Sequence, residues 1–402
     1  MAKKKRKKTG GGGAFGKAGA KRLPQADGFD YDRIEWRYID RDRNTTMDLI
    51  RHWNALSDSD PRVIEAMESS LILDAINEGV LETPPAFQAR RVLDRIHHED
   101  EEPSPEEIQA AVDEALAIDP DSIDVRLFLA EQADTAEAVR EHNREAVAVG
   151  EARLAGKLKT GTPPEGGWAE DMEVLPYLHA LLRYAECCRT CGDSDGAVEG
   201  FRRLIALDPD DALDAIPTLS GLYLARNEFE EAARLIESSP NRNSCAVLFD
   251  QAYLAFFAAL EAESGFEPDM EQFDPFEPLK TPEMERARTL LHEAIRRSPW
   301  TVPFVFDCRS AMLGPLVEYE EGSPFEALEY ARTHFAPWTL VAAPAIWLNA
   351  ECSRIFERLD RRHLRHYHAD FAEALAWLDE IERPYDLFED QAMKDICEAF
   401  GG

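Results

Sequence analysis

Positive charge is what this 402-residue chain has least of: 45 Lys and Arg stand against 78 Asp and Glu, a formal net charge of −33. The deficit is deeper in the body, because nine of the basic residues, beginning with Lys3–Lys8 (KKKRKK), fall within residues 1–22, where there is no acid. The other 380 residues carry 36 basic against 78 acidic side chains. A body this acidic repels phosphate backbones, which argues against a large nucleic-acid-binding face on the folded part. Long apolar runs are also missing. Cys245–Leu260 is interrupted by Asp250 and Gln251, and Trp338–Leu348 falls short of the roughly 20 residues that cross a bilayer. A glycine run, Gly10–Gly13, stands where a secretory signal would place its apolar segment. The expectation is a cytoplasmic protein without a membrane segment. Seven cysteines (187, 188, 191, 245, 308, 352 and 397) are odd in number and scattered, which suits reduced thiols better than a disulfide framework.

The motifs of common chemistries are absent as well. There is no HExxH, no GxSxG and no GxGxxG after a strand. The glycine-rich LKTGTPPEGG (158–167) lacks the Gly-Lys-Ser/Thr ending of a phosphate loop. Two clusters keep a rival reading open, that of a metal-binding regulator or enzyme. Cys188 and Cys191, beside Cys187, form a CxxC pair, but a zinc site needs a second pair to complete four ligands. His363, His366 and His368 lie near Asp370, yet only the first two share a helical face. The expectation is therefore no catalytic residue, no metal and no cofactor. For the tail, three readings compete: a loose contact of residues 1–22 with RNA or the ribosome, a nuclear-import-like patch, and a solvated segment without a specific partner.

Helix signals are dense and strand signals scarce. Asn44 and the threonines after it suit a helix cap, with Met47, Ile50 and Trp53 on one stripe, and a second helix is predicted from Pro84–Pro85 to His97. Beyond the acidic stretch His98–Pro105 the sequence repeats. Ile108, Val112, Ala115 and Pro120 share their spacing with Ala197, Phe201, Leu204 and Pro209, and with Ala287, Leu291, Ala294 and Pro299. In such a template a small residue lets paired helices nest and the proline ends the second one. The first helix repeats too: Tyr184, Ala185 and Gly192 are followed at a period of about 34 residues by Leu219, Tyr223, Asn227 and Ala232. A single hairpin cannot cover its own apolar face, so neighbours must stack. Between Ala246–Ala262 and Pro282–Arg297 an acidic insert, Glu263–Thr281, carries Phe266, Phe273 and Phe276; it reads as a surface loop or as a lid.

This order of segments resembles the family related to the suppressor of tumorigenicity 7 protein over roughly Pro105–Leu348. The likeness rests on IDP (118–120), LAEQADTAEAV (129–139), Trp168 leading to Pro176–Tyr177, CGDSDGAVEGFRRLIALDPDD, AIRRSPWTVPF (294–304), and Gly322–Ser323 with Glu326–Ala327, Tyr330 and Trp338. The chain departs from that pattern at Val174–Leu175 and Asp210–Ala212. The resemblance implies a tetratricopeptide-like helical array and no established enzymatic chemistry.

The expected molecule is all-α: a right-handed superhelix of about four or five stacked hairpins. Residues 1–28 are expected to be a disordered basic tail, 29–102 a helical cap, 103–350 the repeat array and 351–402 C-terminal helices. The expected function is that of a scaffold or adaptor for a partner protein or peptide. In tetratricopeptide geometry the first helix lines the groove, which points to His179, Leu182, Glu186, Arg189 and Thr190 as partner-binding positions.

Overall fold

A computed structural model describes residues 45–55, 82–96, 103–164, 167–264, 281–307, 309–312 and 322–356. Among these residues every regular element is helical, and the fold is all-α. In chain order the helices are α1 (Thr45–Ala55), α2 (Pro85–Asp94), α3 (Pro105–Ile118), α4 (Ile123–Glu131), α5 (Ala136–Thr160), α6 (Leu175–Thr190) and α7 (Ser194–Leu207). They continue with α8 (Ala215–Ala225), α9 (Phe229–Ser238), α10 (Cys245–Ser264), α11 (Pro282–Arg297), α12 (Thr301–Val305), α13 (Pro324–Thr339) and α14 (Ala342–Phe356). Consecutive helices pack in pairs: α2 on α3, α4 on α5, α6 on α7, α8 on α9, and α10 on α11.

The repeated spacing in the sequence returns as a repeated backbone. α3, α7 and α11 each end two residues before a proline, at Ile118, Leu207 and Arg297. The residue in front of that proline, Asp119, Asp208 or Ser298, takes nearly one conformation in all three, with φ between −123° and −138° and ψ between 71° and 93°. Proline imposes this, because its ring clashes with an α-helical predecessor. Each of these residues still donates its N–H to the carbonyl four residues back, at 2.8–2.9 Å, which closes the last turn. The entrances repeat as well: Ser104, Ser122, Thr135, Asp193, Thr281 and Ser323 each accept a backbone N–H at a helix N-terminus. Ser104 and Glu107 complete a reciprocal capping box. The turns within the hairpins α6–α7 and α8–α9 both use a left-handed residue, Gly192 (φ 74°) and Asn227 (φ 58°), 35 positions apart. Glycine and asparagine tolerate that region best.

Side-chain size then sets the packing. Ala197, Ala232 and Ala287 are fully buried in the main core, which runs from Ile123 on α4 to Cys352 on α14. Phe201, Leu204, Leu291 and Ala294 from the same template are fully buried too, while Ile108 is half-buried at the edge of a smaller core. That smaller core joins Ala89, Val92 and Leu93 of α2 to Ala111, Val112 and Ala115 of α3, with Val125 and Phe128 of α4 as the link. α1 is fastened to α2 by a buried ion pair, Arg90 Nη1 to Asp48 Oδ2 at 2.7 Å. Ile50 on α1 is buried as expected; the side chains of Met47 and Trp53 lie outside the described residues.

One expectation from the sequence needs correction. The segment Cys245–Ala262 does reach the length and apolarity of a membrane-crossing helix, despite Asp250 and Gln251. In the fold it is a core helix, because α11 covers it and Asp250 is fully buried among hydrogen-bond partners.

Candidate partner-binding face

α6, α8 and α10 are the first helices of three successive hairpins, and α13 lies across them. α13 packs against α8 and α10, and its Arg332 reaches Glu186 on α6 across 146 positions of sequence. The start of α13 explains how it is aimed. Ser323 caps it, Pro324 fits the first turn, where a missing N–H costs nothing, and Glu326 in that turn receives the Cys245 N–H of α10 at 2.7 Å.

At the middle of α13 the contacts become a closed polar network. Asp250 of α10 accepts Tyr330 Oη at 2.9 Å and the Ser220 hydroxyl of α8, and faces His334 Nε2 at 3.2 Å. Trp338 Nε1 donates to Tyr330 Oη at 2.8 Å, so the phenol both donates and accepts. Each of these groups is almost wholly excluded from water, where a carboxylate without partners would be very costly. Ser220 and His334 both turn to the Asp250 carboxylate, so the network ties α8, α10 and α13 together at one buried acid.

Pro337 lies inside α13 and has no N–H to give to the Thr333 carbonyl. Gly221 of α8 sits against that freed oxygen: a Cβ placed there would stand 2.7 Å from Thr333 O and 3.1 Å from the His334 ring. The two helices approach closely because one residue lacks a side chain and the other lacks a donor. The hydroxyl of Tyr253 on α10 donates to the Pro337 carbonyl at 3.2 Å, near the end of the helix.

Of the five positions singled out from the sequence, Glu186, Arg189 and Thr190 sit at the edge of this closure. Glu186 is not open to solvent but is 2% exposed. It takes both Arg332 terminal nitrogens at 3.1–3.2 Å, Arg189 Nε at 2.9 Å and the Thr218 hydroxyl at 3.4 Å. Burial pushes its carboxyl up, but Arg189 and Arg332 outweigh this and hold it down at about 2. Arg332 also pairs with Glu329 on its own helix. Arg189 is half-buried against Glu186, and Thr190 turns its hydroxyl back to the Glu186 carbonyl at 2.9 Å. His179 is buried and Leu182 half-buried. The structure thus brings Glu186, Arg189 and Thr190 together around one ion-pair cluster and places α13 over it.

Cys188 is buried, and its thiol is pushed up to about 11 by that burial, so it is a poor thiolate donor at neutral pH. Cys191 sits half-buried at the turn after α6, and Cys187 is buried against the Asn143 amide at 3.4 Å. Among the described residues no three His, Cys, Asp or Glu side chains gather as metal ligands. The His363, His366 and His368 cluster, residues 1–22 and residues 265–280 of the acidic insert lie outside the described residues.

Sequence reasoning missed Asp250, Tyr330, Arg332 and His334. A signal was present in Asp250, which first drew notice only as an interruption of an apolar helix: a carboxylate in such a place needs buried partners. Nothing local in the sequence says that those partners come from α13. Compared with known proteins, the chain matches no family model and no curated protein.

Proposed function

We propose that this protein is a non-enzymatic scaffold or adaptor, a tetratricopeptide-like array whose stacked hairpins hold helical or peptide segments of a partner protein. The observation that carries the reading is that the α6, α8 and α10 face already holds a helix, α13, by side-chain-specific contacts at Glu186, Asp250 and Gly221. Surfaces built from helical hairpins serve as extended platforms for such ligands. The right-handed superhelix, the resemblance to the suppressor of tumorigenicity 7 family and the cytoplasmic setting belong to the same proposal. The repeated pre-proline caps and the left-handed residues 35 positions apart support it.

Site-specific photo-crosslinking in cells tests this reading, with a photoreactive phenylalanine analogue at the exposed positions Asp195, Glu199 and Arg234 in turn. Discrete protein adducts that depend on position are expected. Adducts at none of the three, together with stoichiometric zinc that is lost on Cys188→Ser, would replace it with the metal-dependent alternative.

A further inference from the structure

With α13 covering the face of the first helices, the open groove among these hairpins lies between their second helices. A solvent-open cavity of about 370 Å³ runs between α7 and α9, with α8 as its floor. Leu219 and Tyr223 of α8 form the bottom, and Ile205 of α7 and Leu235 of α9 form the walls. Two arginines stand at its mouth, Arg202 and Arg234. Glu231 also lines it, so in a chain with 78 acidic against 45 basic side chains the cavity carries two guanidinium groups against one carboxylate, a small local excess of positive charge.

The two arginines are not equivalent. Arg234 is paired with Glu231 at 2.7 Å. Arg202 donates its Nε to Tyr223 Oη at 2.6 Å, with its guanidinium carbon 5.3 Å from the centre of the Tyr223 ring. It forms no ion pair among the described residues. The Nε bond to the hydroxyl of the buried Tyr223 positions the guanidinium before any ligand arrives, and its terminal nitrogens offer donors to a carboxylate. A pre-oriented cation above an apolar pit suits an apolar side chain with an acidic neighbour, and orientation in advance lowers the entropy lost on binding.

We propose that the α7–α9 groove is a docking site for an acidic peptide segment of another protein. A large apolar side chain of that segment enters the pit lined by Leu219, Ile205 and Leu235, and a carboxylate beside it pairs with Arg202. The inference rests on the scaffold reading and adds the location and the chemistry of the partner.

The test measures fluorescence anisotropy of the full chain with three labelled synthetic peptides: one with Phe and Leu among Asp and Glu, one with its acids replaced by Lys, and one with its Phe and Leu replaced by Ser. Binding of the first alone is expected, weakening with added salt and falling at least tenfold in Arg202→Glu, with Arg202→Lys keeping only part of it. Circular dichroism of each variant checks that the helices are intact. Equal binding by wild type and Arg202→Glu, or no binding of the acidic peptide up to millimolar concentration, overturns the site. Sedimentation that shows a dimer lost in Arg202→Glu also overturns it, by making the occupant a second copy of this chain. Crosslinks to partner proteins from Asp195 alongside a failed peptide assay would sink this site and leave the scaffold reading standing.

Discussion

At the scale of single residues, Gly221 and Glu186 carry the most testable chemistry. Gly221→Ala would push a methyl group to 2.7 Å from the Thr333 carbonyl, a backbone atom with little room to move. Overpacking of that kind costs about 1–3 kcal/mol, so the urea midpoint is expected to fall while the helical spectrum keeps its shape. Glu186 makes a second prediction, in pH. Its folded-state carboxyl is held at about 2, against 4.5 unperturbed, so between those values the unfolded chain binds more protons and stability rises with pH. The contribution, about 3 kcal/mol, is complete above pH 4.5 and is lost as pH falls towards 2. Urea titrations of wild type and Glu186→Gln are expected to diverge above pH 4.5 and converge below it. Asp211 behaves in the opposite sense. Burial and then the neighbouring Asp214 push its carboxyl up to about 8, although it accepts the Ala215 and Ile216 N–H groups at the start of α8. The protonated form is favoured on folding, so this stability is present below about pH 4 and lost as pH rises through 8. Asn tolerates the same left-handed backbone and accepts the same bonds. Asp211→Asn is expected to be more stable than wild type by about 1–3 kcal/mol at pH 8.5, and the gap should close at pH 4.

At the scale of elements, α13 is fastened by polar groups, whereas the hairpins are fastened by small and apolar ones. Removing one member of a buried ion pair leaves the other charged and unpaired, which costs about 3–5 kcal/mol, while replacing both with groups of similar volume is often neutral. Arg332→Met alone is therefore expected to destabilise strongly, and Glu186→Gln with Arg332→Met to recover much of the loss; equal losses in the single and double variants would mean that the pair does not couple α13 to α6. The same contrast explains what was legible in advance. The second helices α3, α7 and α11 were readable because their signals are local: a proline fixes its predecessor, and the alanines at set distances leave space for one partner helix. α2 was readable for the same reason, from Pro84–Pro85 to within three residues of its end. The position of α13 was not readable, since Glu186 and Arg332 are ordinary helical charges until folding brings them together. Glu186 was expected to line an open groove, but it is buried, and the arginine that covers it comes 146 residues later.

At the scale of the whole molecule, α13 changes how stability should be distributed. In a plain stack each hairpin touches only its neighbours, so stability is close to a sum of local terms and fades towards both ends. Here one helix contacts α8 and α10 and reaches α6, so opening any of the three first helices breaks contacts held in common. The main core includes residues of all four helices, whereas α2 and α3 belong to a separate small core, joined to the rest through Val125 and Phe128 on α4 and through a smaller contact of Phe87 on α2 with Met172 and Leu175. Two cooperative units follow from that division. Native-state hydrogen exchange is expected to give α6, α8, α10 and α13 one common opening free energy, and to give α2 and α3 a lower one. Gly221→Ala should lower the first value along all four helices together and leave α2 and α3 unchanged, because its clash is with the shared helix. Protection that instead declines step by step away from α8, with the variant altering α8 alone, would mean that α13 rests on the stack without binding its hairpins into one unit.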